Sequence, residues 1–136
     1  MLGTFNVALS GLRAADVRLS IAANNIVNIS SAGHTDKGAQ EAGEAAVTAF
    51  QPATATASST AGGGVVVTAT PVNPGTVPIF NPGNPLADSN GFVAYPNVSL
   101  AEQMIELKLA SLSYEANAKV IETESELLRT LLDSFS

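Results

Sequence analysis

The sequence predicts a mainly α-helical fold, in which long N- and C-terminal helices pair in a coiled-coil-like bundle around a small β-rich or irregular central insertion. Three observations predict it. All seven prolines fall between Pro52 and Pro96, so both ends of the 136-residue chain are free to form long helices. Apolar residues recur at helical spacing at both ends. Between Ala45 and Ala87 no residue is charged, which sets the centre apart.

These features divide the chain into four segments. Residues 1–30 are predicted to form an N-terminal amphipathic helix. Residues 31–80 are predicted to be a loop and an uncharged central region, rich in Ala, Thr, Gly and Pro, with short strands. Residues 81–98 are an extended connecting segment, and residues 99–136 form a C-terminal amphipathic helix. At this length the segments belong to one small domain.

The N-terminal helix is predicted from an apolar seam, that is, positions spaced alternately by three and four residues. The seam comprises Leu2, Phe5, Leu9, Leu12, Asp16, Leu19, Ala23 and Ile26. Residues that compete with helical hydrogen bonding or end a helix then crowd together. They are Asn24, Asn25, Asn28, Ser30, Ser31 and Gly33. We therefore expect the helix to end near Asn28.

The centre of the chain gives weaker signals. Residues 54–60 are low-complexity Ala, Thr and Ser, and three glycines at 62–64 precede a β-branched run at 65–68 that favours a strand. The glycines have no helix or Lys-Ser/Thr after them, so they indicate a flexible turn and not a phosphate-binding loop. Pro71, Pro74 and Pro78 exclude a long strand beyond that run. The prediction is a few short strands or a flexible flap.

The C-terminal helix has a clear start, because Ser99 followed by Glu102 has the spacing of a capping box. Its seam comprises Leu100, Met104, Leu107, Ser111, Tyr114, Ala118, Ile121, Ser125, Leu128, Leu132 and Phe135. The small residues in the middle of this seam would let another backbone approach closely. Further apolar residues lie between the seam and the polar side: Ile105, Leu109, Leu112, Ala116, Val120, Leu127 and Leu131. One partner helix cannot cover so wide an arc, so we expect other copies or other subunits to bury the rest.

Composition excludes several classes of function. Six basic residues against twelve acidic ones give a net charge of −6, which argues against nucleic-acid binding. No cysteine is present, and the single histidine, His34, is interpreted as a surface-loop residue because one imidazole without further ligands is a poor metal site. No catalytic constellation can be composed, so we expect no enzyme activity, no cofactor and no metal. No apolar run is long enough to span a bilayer, and the first residues do not predict a cleavable signal peptide.

Motifs at both ends resemble those of a known family. Ala8–Leu12 together with residues 23–28 resembles the N-terminal signature of bacterial flagellar rod and hook proteins. Residues 81–98 look like the segment before the C-terminal helix in the proximal rod members, and Met104 with residues 114–117 is similar to the closing motif. The motif residues are Asn24, Asn25, Asn28, Asn84, Pro85, Leu86, Asp88, Gly91, Pro96, Asn97, Met104, Tyr114 and Asn117.

The resemblance implies a structural subunit of the flagellar basal-body rod, part of the drive shaft for motility. It implies export through the flagellar type III apparatus, a periplasm-spanning location, and helical assembly with copies of itself and other rod proteins. Contacts with basal-body ring or adaptor proteins are also implied. The expected assembly seam comprises Leu9, Leu12, Leu19, Ile26, Leu107, Tyr114, Ile121, Leu128 and Leu132.

The sequence also departs from the family pattern, and the departures leave alternatives open. The family commonly has Pro-Gly-Tyr where this chain has Ala32, Gly33 and His34. Leu112 stands where an Arg is usual, and Glu115 where a Gln is usual. One alternative is a divergent accessory rod or hook paralogue. The other is a secreted helical-hairpin binding module.

Overall fold

Two long helices and two β-hairpins make up the fold of the computed structural model, which describes residues 2–135 apart from the side chains of Leu2 and Glu44. The helices are α1 (Leu2–Val27), α2 (Asp36–Ala42) and α3 (Leu100–Ser134), with a 3₁₀ turn at Gly43–Ala45. The strands are β1 (Ala53–Ser59), β2 (Val65–Pro71), β3 (Thr76–Phe80) and β4 (Phe92–Pro96). Met1 and Ser136, which the predicted helices 1–30 and 99–136 include, lie outside the described residues.

The helix ends agree closely with the sequence. The Ser99 hydroxyl accepts from the backbone N–H of Glu102 at 3.4 Å, so the predicted N-cap of α3 is confirmed. Helix α1 ends at Val27, one residue before the predicted Asn28. There the Asn28 amide donates to the Asn24 carbonyl at 2.9 Å, and the Asn28 carbonyl accepts from the hydroxyl of Ser31. Side-chain to backbone bonds of this kind compete with helical bonding and end the helix.

Helices α1 and α3 pack against each other in antiparallel directions. Arg18 contacts Glu106, Asn25 contacts Gln103, and Gly11 lies against Asn117, so the numbers rise on one helix as they fall on the other. The pairing of the two terminal helices is therefore observed, whereas a coiled coil is not.

The packing differs from the predicted seam, which followed the leucines. On α1 the buried positions are Ala8, Ala14, Ala15, Ala22 and Asn25. The α1 seam residues are only half-buried: Leu9, Leu12, Leu19 and Ile26. On α3, Ala110 and Glu124 are buried. Of the predicted α3 seam residues, Leu107, Ser111, Ala118 and Ile121 are half-buried, and the others are exposed: Leu100, Met104, Tyr114, Ser125, Leu128, Leu132 and Phe135. The reason is steric, because small residues let the two helix axes approach and leave the leucines at the flanks.

The central region consists of two antiparallel hairpins, so the predicted short strands are confirmed. In the first hairpin Ala53 lies opposite Pro71 and Ser59 opposite Val65. In the second, Thr76 lies opposite Pro96. Two features were not predicted: α2, which lies in a segment expected to be loop, and β4, which lies in the segment expected to be only extended.

The first hairpin lies along α1 and is attached to it at both ends. Asn25 bonds the backbone of Ala53 at one end, and the Ser10 hydroxyl accepts from the N–H of Val65 at the other, at 3.1 Å. The fifteen steps from Ser10 to Asn25 rise about 23 Å along the helix, and the six steps from Ala53 to Ser59, opposite Val65, span about 20 Å, so the two attachment points are similarly spaced on both elements. The hairpin therefore follows more than half of α1.

Gly33 joins the second hairpin to the segment after α1. Its N–H and C=O exchange hydrogen bonds of 2.9 Å with Ala94 of β4. A Cβ at this position would lie 2.1 Å from the backbone nitrogen of Ala49, so only glycine fits. The neighbouring His34 is half-buried, and its Nδ1 accepts from the N–H of Val47 at 2.8 Å. His34 thus fixes a loop by hydrogen bonding.

Candidate assembly surfaces

The outer face of α3 is apolar and open to solvent. We call it the outer face and define it by Ile105, Leu109, Leu112, Ala116, Val120, Leu127 and Leu131, all of which are exposed. Leu112 is 60% exposed and Leu127 is 61% exposed. These are the residues that the sequence predicted would need a partner outside the chain. Contiguous exposed apolar surface of this kind marks protein–protein interaction sites.

The last third of α3 extends beyond the helix pair. Every described residue from Ser125 to Phe135 is exposed, and this overhang carries Leu127, Leu128, Leu131, Leu132 and Phe135. Thr4 of α1 and Val120 of α3 line an open groove of about 600 Å³ where the two helices separate. Glu124 lies in the same groove with its Oε2 buried and without a hydrogen-bond partner among the described residues. The overhang and the groove form one continuous uncovered region.

The inner face of the helix pair, by contrast, is built from small and polar residues. It comprises Ala8, Gly11, Ala15, Arg18, Ala22 and Asn25 on α1, and Gln103, Glu106, Ala110, Asn117 and Glu124 on α3. The guanidinium of Arg18 binds both carboxylate oxygens of Glu106, with Nε–Oε1 at 2.5 Å and Nη2–Oε2 at 3.0 Å. This hydrogen bond raises the pKa of Arg18. At Gly11 an added Cβ would lie 2.4 Å from the Asn117 side-chain oxygen, which shows how closely the helices approach.

Asn25 connects three elements of the fold. Its Nδ2 donates to the carbonyl of Ala53 at 2.7 Å and to the Gln103 side-chain oxygen at 2.9 Å, while its Oδ1 accepts from the N–H of Ala53. The side chain is 2% exposed, so these bonds satisfy an amide that solvent cannot reach. Asn25 therefore fixes α1, β1 and α3 relative to one another.

The motif residues between 84 and 97 shape the turn before β4. Asn84 Oδ1 accepts from the N–H of Leu86 at 2.9 Å, which forms an Asx turn. Gly91 has a φ of +83°, and an added Cβ there would lie 2.8 Å from the Phe80 ring. Asn97 donates to the carbonyl of Pro74 at 3.0 Å.

Asp88 organises this turn. Its Oδ1 accepts from the N–H groups of Phe92 and Asn90, and its Oδ2 accepts from the hydroxyl of Thr35, which also caps α2. These bonds, first among them that from Phe92, lower the pKa of Asp88. The carboxylate thus holds the turn and α2 together.

The remaining motif residues are divided between support and exposure. Pro96 is buried, Leu86 and Asn28 are half-buried, and Asn117 packs over Gly11. The exposed ones are Asn24, Pro85, Met104 and Tyr114.

The inner face was missed by the sequence analysis, although the sequence carries a signal for it. Small residues recur every seven positions on α1, at Ala8, Ala15 and Ala22. On α3 the same spacing holds for small or polar residues, at Gln103, Ala110, Asn117 and Glu124. The contacts between Thr35, Asp88 and α2 had no such signal.

Within residues 2–135 no group of three or more His, Asp or Glu side chains could hold a metal ion. No helix in that range is long and apolar enough to cross a membrane.

The chain is similar to known flagellar proteins. Residues 5–35 match the family described as "Flagella basal body rod protein", and residues 89–134 match "Flagellar basal body rod FlgEFG protein C-terminal". The chain is 36% identical over 132 residues to "Flagellar basal-body rod protein FlgC" of Salmonella typhimurium, and equally to that of Escherichia coli O157:H7, with 96% of each chain covered. The FlgC protein of Borreliella burgdorferi is 28% identical over 148 residues.

Proposed function

The chain belongs to the FlgC family of flagellar basal-body rod proteins, and from this premise we propose that it polymerises into the proximal rod through its terminal helices. It is a structural subunit of that rod and not an enzyme. Membership of the family supports contacts with other rod components and with copies of itself.

The observation that carries the proposal is the inversion of the ordinary helix pattern. Alanines fill the inner face, and leucines occupy the outer face and the overhang of α3. At about 25 cal/mol per Å² of apolar area, covering this surface with neighbouring subunits is strongly favourable. A subunit that exposed it permanently would be prone to nonspecific association.

The same surface fits an open helical assembly. Contacts between unlike surfaces of successive subunits are head-to-tail and do not have to close, so they generate an open helical structure. We expect the overhang to order fully only on assembly, since a short helical end with no packed face is marginally stable alone.

The route to the rod is part of the proposal. We infer export through the flagellar type III apparatus, a location in the periplasm-spanning rod, and contacts with ring or adaptor proteins. The motifs at both ends of the chain support this route, because they resemble those of rod and hook proteins.

The test places the same charge on two sides of the overhang. Leu127→Asp puts a carboxylate on the outer face, and Arg129→Asp puts one on the polar side two residues away; both positions are exposed. Each variant replaces the natural copy in the native host, and quantitative mass spectrometry counts the protein in purified hook–basal bodies. We expect Leu127→Asp to be missing from basal bodies and motility to be lost, whereas Arg129→Asp assembles.

Other outcomes separate the alternatives. Normal incorporation of Leu127→Asp would contradict a role of the outer face in the rod. If the natural chain is absent from basal bodies but present in the medium, the polymerisation proposal is wrong, and a secreted binding module or an accessory paralogue takes its place.

A further inference from the structure

The two hairpins treat their strand edges differently. In the second hairpin the outer edge of β4 is covered, because Ala94 exchanges both of its outward hydrogen bonds with Gly33. The outer edge of β3 carries Pro78, which has no N–H to offer. Both devices are ways in which proteins prevent edge strands from pairing with other chains.

The first hairpin has neither device along most of its length. The bonds from Val72 to Pro52 and from Thr60 to Gly64 fix the ladder so that even-numbered β1 residues bond to β2. The N–H and C=O groups of odd-numbered residues therefore point outwards. Asn25 binds those of Ala53 and Ser10 binds the N–H of Val65, but no described residue binds the others. The open positions are Ala55, Ala57 and Ser59 on β1, and Val67 and Ala69 on β2.

The open β1 edge borders a groove. A polar groove of about 430 Å³ separates this edge from α3, where Glu102 forms part of the opposite wall. The β2 edge borders a different groove along α1, beside Arg13. Neither Glu102 nor Arg13 has an ion-pair partner among the described residues, so the two sides of the hairpin carry opposite unpaired charges.

We propose that the β2 edge of one copy pairs with the β1 edge of the next, so that the hairpins of neighbouring subunits form one continuous antiparallel sheet. The interface rests on the proposed polymerisation and adds a second contact to it, separate from the helices. Side-by-side copies in the same orientation bring β2 against β1 in antiparallel directions, and both strands have seven residues.

Charge and side-chain size favour pairing of unlike edges. Joining two β1 edges would bring Glu102 of both copies to the interface, and joining two β2 edges would bring both copies of Arg13, whereas unlike edges bring opposite charges. The open β1 residues are small, two alanines and a serine, and the open β2 edge carries Val67, so a bulky edge meets a small one. No charged residue between Ala45 and Ala87 opposes the contact. An isolated two-stranded hairpin also gains stability when a third strand is added.

Disulfide cross-linking tests the pairing directly, since the natural chain has no cysteine. Thr56 and the β2 residues Val66, Thr68 and Thr70 are exposed, and their side chains approach across the proposed contact at non-hydrogen-bonded positions. A strain is grown that produces two variants of the chain, one with Thr56→Cys and the other with Val66→Cys, Thr68→Cys or Thr70→Cys. Its basal bodies are purified and oxidised. We expect a disulfide-linked dimer for one of the three combinations. Strains with a single variant serve as controls and should give no dimer.

A proline variant provides an independent measurement. Ala69→Pro removes one outward N–H and leaves the ladder within the hairpin intact, while Ala69→Val keeps the N–H. We expect Ala69→Pro to be lost from basal bodies and Ala69→Val to be retained. Assembled cysteine variants without any dimer, or full incorporation of Ala69→Pro, would overturn the edge pairing and leave polymerisation through the helices standing. Dimers in a single-variant strain would show that like edges pair, which also overturns the proposal.

Discussion

The inner face of the helix pair is built from small residues, and the outer face of α3 is built from large apolar ones. This distribution is the reverse of that in an ordinary globular protein. Residues such as Ala15 and Ala22 are buried, and residues such as Leu112 and Leu127 are exposed. In a self-sufficient domain the large apolar residues supply the core. Here small residues are buried within the chain's own fold, and large apolar residues stay exposed, where the proposed assembly would bury them. If the proposal holds, the stability of the single chain and the stability of the assembly depend on separate residues, which mutations can separate.

The largest effect on the single chain is expected from overpacking the inner face. Ala22 is 0% exposed, so Ala22→Leu forces apart the elements that pack against it. We expect a loss of about 1–3 kcal/mol in the free energy of unfolding, since extra methylenes in a packed interface force backbone shifts. Chemical denaturation followed by circular dichroism measures it. Ala23→Leu on the exposed side is the control; an equal loss there would mean that helix propensity and not packing decides.

A comparable loss of stability is expected from Asn25→Ala, which removes hydrogen bonds of the inner face without adding volume. Asn25→Ala leaves the backbone groups of Ala53 without their side-chain partner and removes the bond to Gln103. Unpaired buried polar groups cost about 1–3 kcal/mol. Gln103→Ala removes only one of the three bonds and should cost less. If both variants were equally stable, Asn25 would not be the residue that connects the hairpin to the helices.

The sequence predicts the long helices of this arrangement but not the packing of its inner face. The two long helices and the Ser99 cap were predictable because they depend on local spacing. The inner face was not, since a search for periodicity weights leucines, and alanine, glycine and asparagine contribute little to it. The bond between Asn25 and Ala53 joins residues 28 positions apart, and that between Thr35 and Asp88 joins residues 53 apart. No local pattern encodes such contacts.

The outer face should behave in the opposite way when its residues are truncated. Leu112→Ala removes an exposed side chain from the single chain, so we expect the free energy of unfolding to change by less than about 0.5 kcal/mol. Incorporation into basal bodies should nevertheless fall, because the proposed assembly buries this leucine against neighbouring subunits. Comparing denaturation of the purified chain with mass spectrometry of basal bodies checks both halves. A matching loss of stability in the purified chain would show that the outer face also supports the monomer.

The smallest expected effect concerns the turn that Asp88 holds, which lies apart from both helix faces. Hydrogen bonds lower the pKa of Asp88, chiefly the one from Phe92, and bonds from Ser89 lower the pKa of Glu41. A depressed pKa means that the stabilisation is present above the ordinary carboxyl value of about 4 and is lost as the pH falls through the lower folded value. Acid should therefore loosen this turn while α1 and α3 stay paired.

The chemical shift of the Phe92 amide, followed by NMR against pH, should change below pH about 4 in the natural chain. In Asp88→Asn this dependence should disappear, whereas helical circular dichroism should be the same in both proteins at neutral pH. Loss of helical signal in Asp88→Asn at neutral pH would show that the turn and the helix pair are stabilised together. The turn would then belong, with the inner face, to the elements that stabilise the single chain.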